Sequence, residues 1–323
     1  MNSRDRFRKT MAYEQPDRIP YFEEGIRKEV LKVWRKQGLP RGAAPEAMFP
    51  CDRRLEIELD LEPLPRFSRW PAARKDLGRL RQRLDPRDPS RLPDDWGRLV
   101  ACPNGYPEVR MLKIHRGFFL SLGVMGWKRF LQVMNLLMDD PGFLRAAMQI
   151  QGEFAAALAS RVSQEIEVDA AIFSEPIGGN DRPLISPRMY EEIVLPSYEP
   201  IIEVLRRFGV ECLIFRTYAN SRILIPAILA RGFNCLWACE VNIEAMDYRS
   251  IRNEFGRQLR LIGGIDLDAL RRGKEAIRRE VMEKVPPLLA DGGYVPLADG
   301  RIRQDVPYEN YLYYRRLLEQ ITR

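Results

Sequence analysis

The residues of this chain best placed to do chemistry are carboxylates and arginines that follow short apolar runs. Glu175 follows the run 168–173 and Ser174; Arg216, Tyr218 and Asn220 follow 210–215; Glu240 follows 235–238. Asp266 follows 259–262 and a Gly pair, Asp299 and Arg301 follow 294–297, and Glu23 and Glu24 follow 19–22. A carboxyl group leaving an apolar wall has a raised pKa suited to proton donation. Glu175 is therefore read as a catalytic acid, the alternative being a salt bridge to Arg216 that only shapes a pocket. Arg216 and Tyr218, two apart on a strand, point the same way and together could hold and polarise an anion. The alternative for Arg216 is a buried tie between loops.

The remaining strand-end residues are read as lining the substrate site: Glu23, Glu24, His115, Asn220, Glu240, Asp266, Asp299 and Arg301. Asn220 also fits a helix cap. Glu240 and Asp266 are oxygen donors of the kind metals use, but no His or Cys stands beside them, so no metal ligand is assigned. His115 is the only histidine, which excludes any mechanism needing two. It is either a proton shuttle at the site's mouth or a surface residue. Gly263-Gly264 could let backbone amides approach a carboxylate or phosphate. No P-loop lysine and no Gly-x-Gly-x-x-Gly pattern accompanies the pair, so a nucleotide is not expected.

Such residues converge only if the right elements carry them. Strands separated by helical stretches imply parallel pairing through right-handed crossovers, and their carboxyl ends gather at one mouth. The pattern predicts an α/β fold, a (β/α)8 TIM barrel with an extended N-terminal segment, running as one domain over 1–323. Residues 4–14 read as a charged helix and 19–22 as the first strand. Residues 66–116 read as an insertion. Its first part, 66–95, is rich in Arg, Pro and Asp, and 96–115 is expected as an antiparallel hairpin around Pro103-Asn104-Gly105. Asp139-Asp140-Pro141 opens a long helix, and Ser186-Pro187 opens another that meets Pro196.

Composition narrows the partners. The 323 residues carry 52 Lys and Arg against 45 Asp and Glu, a formal charge of +7. Neither zinc-finger spacing nor an RNA-recognition signature accompanies the basic excess, so nucleic acid is not expected. An anionic small substrate or an acidic protein partner explains the charge. No apolar stretch reaches the ~18 residues of a membrane span, and residues 1–18 are too charged for a signal peptide. Five cysteines without a Cys-x-x-Cys pair fit reduced thiols in the cytoplasm.

Leu-Ile-Gly-Gly-Ile-Asp (261 to 266), Gly-Gly-Tyr-Val-Pro (292 to 296) and Asp-Val-Pro-Tyr-Glu-Asn-Tyr (305 to 311) join Arg4-Asp5-Arg6-Phe7 and Pro16-Asp17-Arg18-Ile19-Pro20 in a longer pattern. With Ile185-Ser186-Pro187-Arg188-Met189-Tyr190 and Gly232-Phe233-Asn234, it resembles the uroporphyrinogen decarboxylase superfamily, which includes corrinoid-dependent methyltransferases. The resemblance implies a TIM barrel and a homodimer as one form of assembly. Zinc-dependent methyltransferases of the superfamily carry His-x-Cys-Gly-Asn after the fifth strand and a Cys after the last. Here those places read Arg216-Thr217-Tyr218-Ala219-Asn220 and Asp299-Gly300-Arg301, so zinc is not expected. True uroporphyrinogen decarboxylases carry Met-Arg-Gln-Ala-Gly-Arg after the first strand. This chain has Glu23-Glu24-Gly25-Ile26-Arg27-Lys28, whose glutamates would repel a polycarboxylate.

The implied activity is that of a methyltransferase component demethylating a small O- or N-methylated substrate with acid assistance, the methyl group passing to a corrinoid carried by a partner protein. The alternatives are a carboxy-lyase, with Arg216 and Arg301 on the substrate carboxylate and Tyr218 as proton donor, and a non-catalytic binding module.

Overall fold

Short apolar runs become strands and the intervening segments become helices. The structure, a computed structural model, describes residues 1–43, 48–101, 107–241 and 244–322. Seven strands form among them: β1 Arg54–Glu58, β2 Val109–His115, β3 Ala170–Glu175, β4 Cys212–Tyr218, β5 Cys235–Cys239, β6 Arg260–Ile265 and β7 Tyr294–Ala298. The principal helices are α1 Ser3–Met11, α2 Trp96–Val100, α3 Trp127–Asp139, α4 Pro141–Glu165, α5 Glu199–Arg207, α6 Tyr248–Phe255, α7 Lys274–Asp291 and α8 Tyr308–Ile321.

The chain divides into two compact units, one of residues 1–54, 107–109 and 235–323, the other of 55–106 and 110–234. In the second unit the strand order is β1-β2-β3-β4, with β2, β3 and β4 parallel. In the first it is β5-β6-β7, again parallel. The class is α/β with helices following the strands, as the pattern implied. Among the described residues no helix is long and apolar enough to cross a membrane.

Two expected elements differ. Residues 19–22 make no strand, because Asp52 occupies their backbone: Tyr21 N–H donates to Asp52 Oδ2 at 2.8 Å, and Asp52 N–H donates to the Tyr21 carbonyl at 2.9 Å. Asp52 is itself held by Arg6 and by Arg18 Nη1 at 2.6 Å, so a buried ion cluster replaces a ladder. The first strand is instead Arg54–Glu58, whose Arg/Glu/Glu against Leu/Ile alternation has the period of a half-buried strand. The hairpin also fails. Trp96 and Leu99 are buried three apart, which is helical spacing, and Trp96 Nε1 bonds Glu165 of α4 at 2.9 Å. Pro103-Asn104-Gly105 lies outside the described residues, and Val109–His115 pairs in parallel with β3.

Helix caps follow the sequence. Asp140 Oδ1 accepts the Phe143 N–H at 3.0 Å with Pro141 in the first turn of α4, and Ser186 Oγ accepts from Met189 at 3.2 Å. The segment opened by Ser186 passes through a π turn at Tyr190–Val194 and a tighter turn at Leu195–Tyr198 before α5. Gly263-Gly264 lies within β6 rather than after it. A Cβ at Gly264 would stand 2.6 Å from the Tyr248 ring, whose hydroxyl accepts from Ala238 at 2.9 Å and donates to the Ile262 carbonyl at 2.7 Å. The pair therefore makes room for a tyrosine clamping β5 to β6.

Gly152 lets α4 close on residue 197: a Cβ there would lie 2.0 Å from the Ser197 carbonyl oxygen. Gly152→Ala is expected to destabilise the chain by about 1–3 kcal/mol, the range for overpacking a tight contact. Urea unfolding followed by circular dichroism measures it, and an unchanged midpoint would mean that the helix shifts at no cost.

Candidate functional site

Parallel register sorts the strand-end side chains of the second unit onto two faces. Ser174 pairs with Arg216 and Glu175 with Thr217. Phe173 and Phe215 touch Tyr198, Tyr190 and Phe233, which marks their face as the one against the helical layer. Glu175 shares that face by alternation, whereas Ser174, Arg216 and Tyr218 share the other. The salt bridge between Glu175 and Arg216, the alternative reading of Glu175, therefore does not form. Their side chains leave the sheet in opposite directions.

Glu175 is wholly buried. Its Oε1 accepts the Phe118 N–H at 2.9 Å, and its Oε2 accepts from the Tyr190 hydroxyl at 3.3 Å and from Tyr198. Gly117 permits this: a Cβ there would sit 2.7 Å from Oε1, and its φ is +90°. Burial pushes the carboxyl pKa up to about 7, the Tyr198, Phe118 and Tyr190 bonds opposing. The raised pKa matches the sequence expectation, but the group lies under two tyrosines and braces the helical layer. Burial likewise drives Tyr190 and Tyr198 upward, so both stay protonated donors.

His115 stands beside this cluster. The register slips between Lys113 and His115, and the slip carries the imidazole to the helical side, edge-on to Tyr198 at 4.5 Å. Its Nδ1 accepts the Gly117 N–H at 2.9 Å, so the proton is assigned to Nε2, which is buried without a partner among the described residues. Burial, with Arg116 second, lowers its pKa to about 3. An imidazole of that kind stays neutral near neutrality.

The other face carries a row of charges of which sequence reasoning named Arg216 and missed Glu56 and Lys113. Glu56 of β1 lies between Lys113 Nζ at 3.6 Å and Arg216 Nη1 at 3.4 Å, and Lys113 also pairs with Glu58. Lys113, Glu56 and Arg216 are half-buried to nearly buried. Ser174 stands beside Arg216 in register, and Tyr218 follows on the same face. The signals were a lone lysine inside an apolar strand and the period-two pattern of 54–58. Asn220 caps the turn at Arg222–Leu224, its Oδ1 accepting the Arg222 N–H at 3.2 Å and its amide donating to the Asp181 carbonyl at 2.7 Å.

In the first unit the strand-end carboxylates mostly brace loops. Asp299 accepts from Val241 and Leu267 N–H groups at 3.0 Å each, and burial pushes its pKa up to about 6. Asp266 caps its own turn through the Asp268 N–H at 2.8 Å and meets Arg272 at 2.7 Å; burial raises its pKa. Glu240, at φ +46°, is exposed and lies 3.4 Å from Arg303. Glu23 is buried against Arg315, with burial raising its pKa, and Glu24 Oε1 receives the Cys239 thiol at 3.7 Å. Arg301 is exposed. Among the described residues no three His, Cys, Asp or Glu side chains gather as a metal ion requires.

Comparison with known proteins places these features. The family model for uroporphyrinogen decarboxylase matches residues 119–313. No curated protein matches. A solved structure of a methyltransferase from Methanosarcina mazei superposes with a TM-score of 0.58 at 14% identity, covering 99% of each chain. At that identity the likeness is one of fold.

The buried carboxyl has a measurable signature. Because Glu175 has a folded-state pKa near 7 against an ordinary 4.5, its contribution to stability is full below the ordinary value and is lost as pH rises through about 7. The loss is on the order of 3 kcal/mol. Glu175→Gln is expected to flatten that decline in urea titrations across the window. Equal slopes in both proteins would show that another group titrates.

Proposed function

Since the chain belongs to the uroporphyrinogen decarboxylase family, we propose that it is an enzyme of that family that demethylates a small O- or N-methylated compound, the methyl group passing to a corrinoid carried by a partner protein. The observation that carries this reading is the Lys113, Glu56, Arg216 row on the sheet face turned from the helices. The methyltransferase superposition supports it at the level of fold.

In demethylation the bond from methyl carbon to oxygen or nitrogen breaks, and its electron pair stays on the leaving atom. Stabilising that developing charge is what this chain must do. Arg216 and Lys113 flank one carboxylate, so both cations are held in place before substrate arrives. Tyr218, two residues on from Arg216 and on the same face of the strand, would give its phenolic proton to the leaving atom. Ser174 adds a hydroxyl beside Arg216. A corrinoid, when its carrier docks, supplies the nucleophile that accepts the methyl group. The residues present suit this division, since they offer charge stabilisation. Glu175 acts at a distance, fixing Tyr198 and Tyr190 behind the sheet.

The same cations favour a second reading. Two positive groups on one face suit a substrate carboxylate, and Tyr218 would then protonate the carbanion left by loss of carbon dioxide. The test is to supply methylated phenols and amines with free reduced cobalamin, following the cobalamin spectrum, and to assay carbon dioxide release from aromatic and aliphatic acids in parallel. Methyl transfer is expected. Arg216→Lys and Lys113→Met should each lower kcat/KM by about 100-fold, the scale of one lost charge-stabilising donor. Carbon dioxide without methyl transfer would make the chain a carboxy-lyase. Wild-type rates in both variants would remove the row from the chemistry.

A further inference from the structure

In the first unit, α6 and the last turns of α7 enclose a cleft of about 500 Å³, a size that takes a small molecule. Three arginines line it, Arg249, Arg252 and Arg257, against one carboxylate, Asp291. Pro287 and Leu288 give it an apolar wall. Residues 256–259 lead from it into β6 and Gly292-Gly293 into β7, so it lies at the opposite ends of those strands from Asp266 and Asp299. None of its side chains belongs to the Lys113, Glu56, Arg216 row.

The one lining carboxylate is shared between two cations. Arg252 Nη1 bonds Asp291 and also the Gly292 carbonyl, the latter at 3.0 Å. Arg257 Nε stands 3.5 Å from Asp291 Oδ1, and its Nη2 donates to the Asp291 carbonyl at 3.0 Å. Arg249 reaches Asp247, beside the cleft, at 3.4 Å through Nε and Nη2. Donors are left over. Arg249 Nη1 and Arg257 Nη1 make no hydrogen bond among the described residues, and Arg252 Nε is buried without a partner there.

The cations are also held in place before any ligand arrives. The Tyr13 ring centre lies 5.8 Å from the Arg252 guanidinium, 5.2 Å from that of Arg257 and 5.6 Å from that of Arg260. The Tyr13 hydroxyl donates to the Arg257 carbonyl at 2.8 Å, and a Cβ at Gly293 would stand 2.3 Å from the ring. Guanidiniums gathered round one ring attract it but repel one another, and an anion in the cleft relieves that repulsion.

The charge count selects the anion. Arg249, Arg252, Arg257 and Arg260 stand against Asp247 and Asp291, four cations against two anions. A carboxylate brings one charge and two oxygens, whereas a phosphate group brings close to two charges and three oxygens, which suits donors spread over several guanidinium forks. We propose that this cleft binds the phosphate group of a small molecule, with the arginines on its oxygens and Pro287 and Leu288 against its organic part.

Isothermal titration calorimetry on the whole chain in a chloride buffer at about pH 8, where phosphate is a dianion, tests this with phenyl phosphate, inorganic phosphate and acetate as probes. One equivalent of phenyl phosphate is expected to bind, inorganic phosphate more weakly and acetate not measurably. Arg249→Gln and Arg257→Gln should each weaken phenyl phosphate about tenfold or more, the scale of a hydrogen bond to a charged group. Both should leave the thermal transition of the unliganded chain unchanged, because these side chains are 42% and 63% exposed. Arg207→Gln, which removes the same charge from the exposed end of α5, should leave the affinity as it was. Inorganic phosphate binding as tightly as the ester would keep the site and assign it to free phosphate. No binding of either phosphate probe, acetate binding as tightly as phosphate, affinity indifferent to both cleft variants, or an equal loss in Arg207→Gln would each overturn the proposal.

Discussion

A parallel strand can give only every second side chain to one face, and that alternation governs everything in residues 110–234. β3 and β4 are in step, Ser174 with Arg216 and Glu175 with Thr217, so two neighbouring groups in sequence are separated by the thickness of the sheet. Where β2 slips between Lys113 and His115, the lysine stays with Arg216 and the imidazole goes to Tyr198. One irregularity thus divides a charged face from an aromatic one. Bulged strands near functional sites commonly re-aim a side chain in this way.

The two faces hold carboxylates of opposite character. Glu175 has only neutral donors around it, two tyrosines and one backbone N–H, so desolvation dominates and its proton is retained to about pH 7. Glu56 stands between two cations, Lys113 at 3.6 Å and Arg216 at 3.4 Å. Environment rather than residue type sets the roles: one group is a structural acid that ties strand to helix, the other a fixed anion that orders its cations.

The sequence carried much of the fold and less of the site. Apolar runs and the caps at Asp140 and Ser186 were legible because they depend on local spacing. The strand expected at 19–22 failed because its partner is Asp52, 31 residues on from Tyr21, and no local signal announces that this one residue will take both backbone groups of Tyr21. Trp96 was misread because Pro103-Asn104-Gly105 was taken as a hairpin turn, which outweighed the helical spacing of Trp96 and Leu99. The raised pKa of Glu175 was legible from the apolar run before it, whereas the alternative pairing with Arg216 could be decided only from the parity of two strands at once. Lys113 could have been found: one charge in the middle of an apolar strand must meet a countercharge, and the Glu56/Glu58 alternation was there to supply it.

The cost of the charged row argues for its use. Arg216 and Glu56 are largely withdrawn from water, and bringing ions out of water costs several kcal/mol each before their attraction is counted. Apolar residues of similar size would often hold a sheet at least as well. The helical side of the same strands shows that alternative, with Phe173, Phe215 and Phe233 packed edge to face. A fold that builds one face from aromatic rings and the other from partly buried charges has two different requirements on them. Stability accounts for the first. The second fits a surface whose charges are kept in position to meet charge on something that arrives from solution, which is the property the proposed chemistry requires.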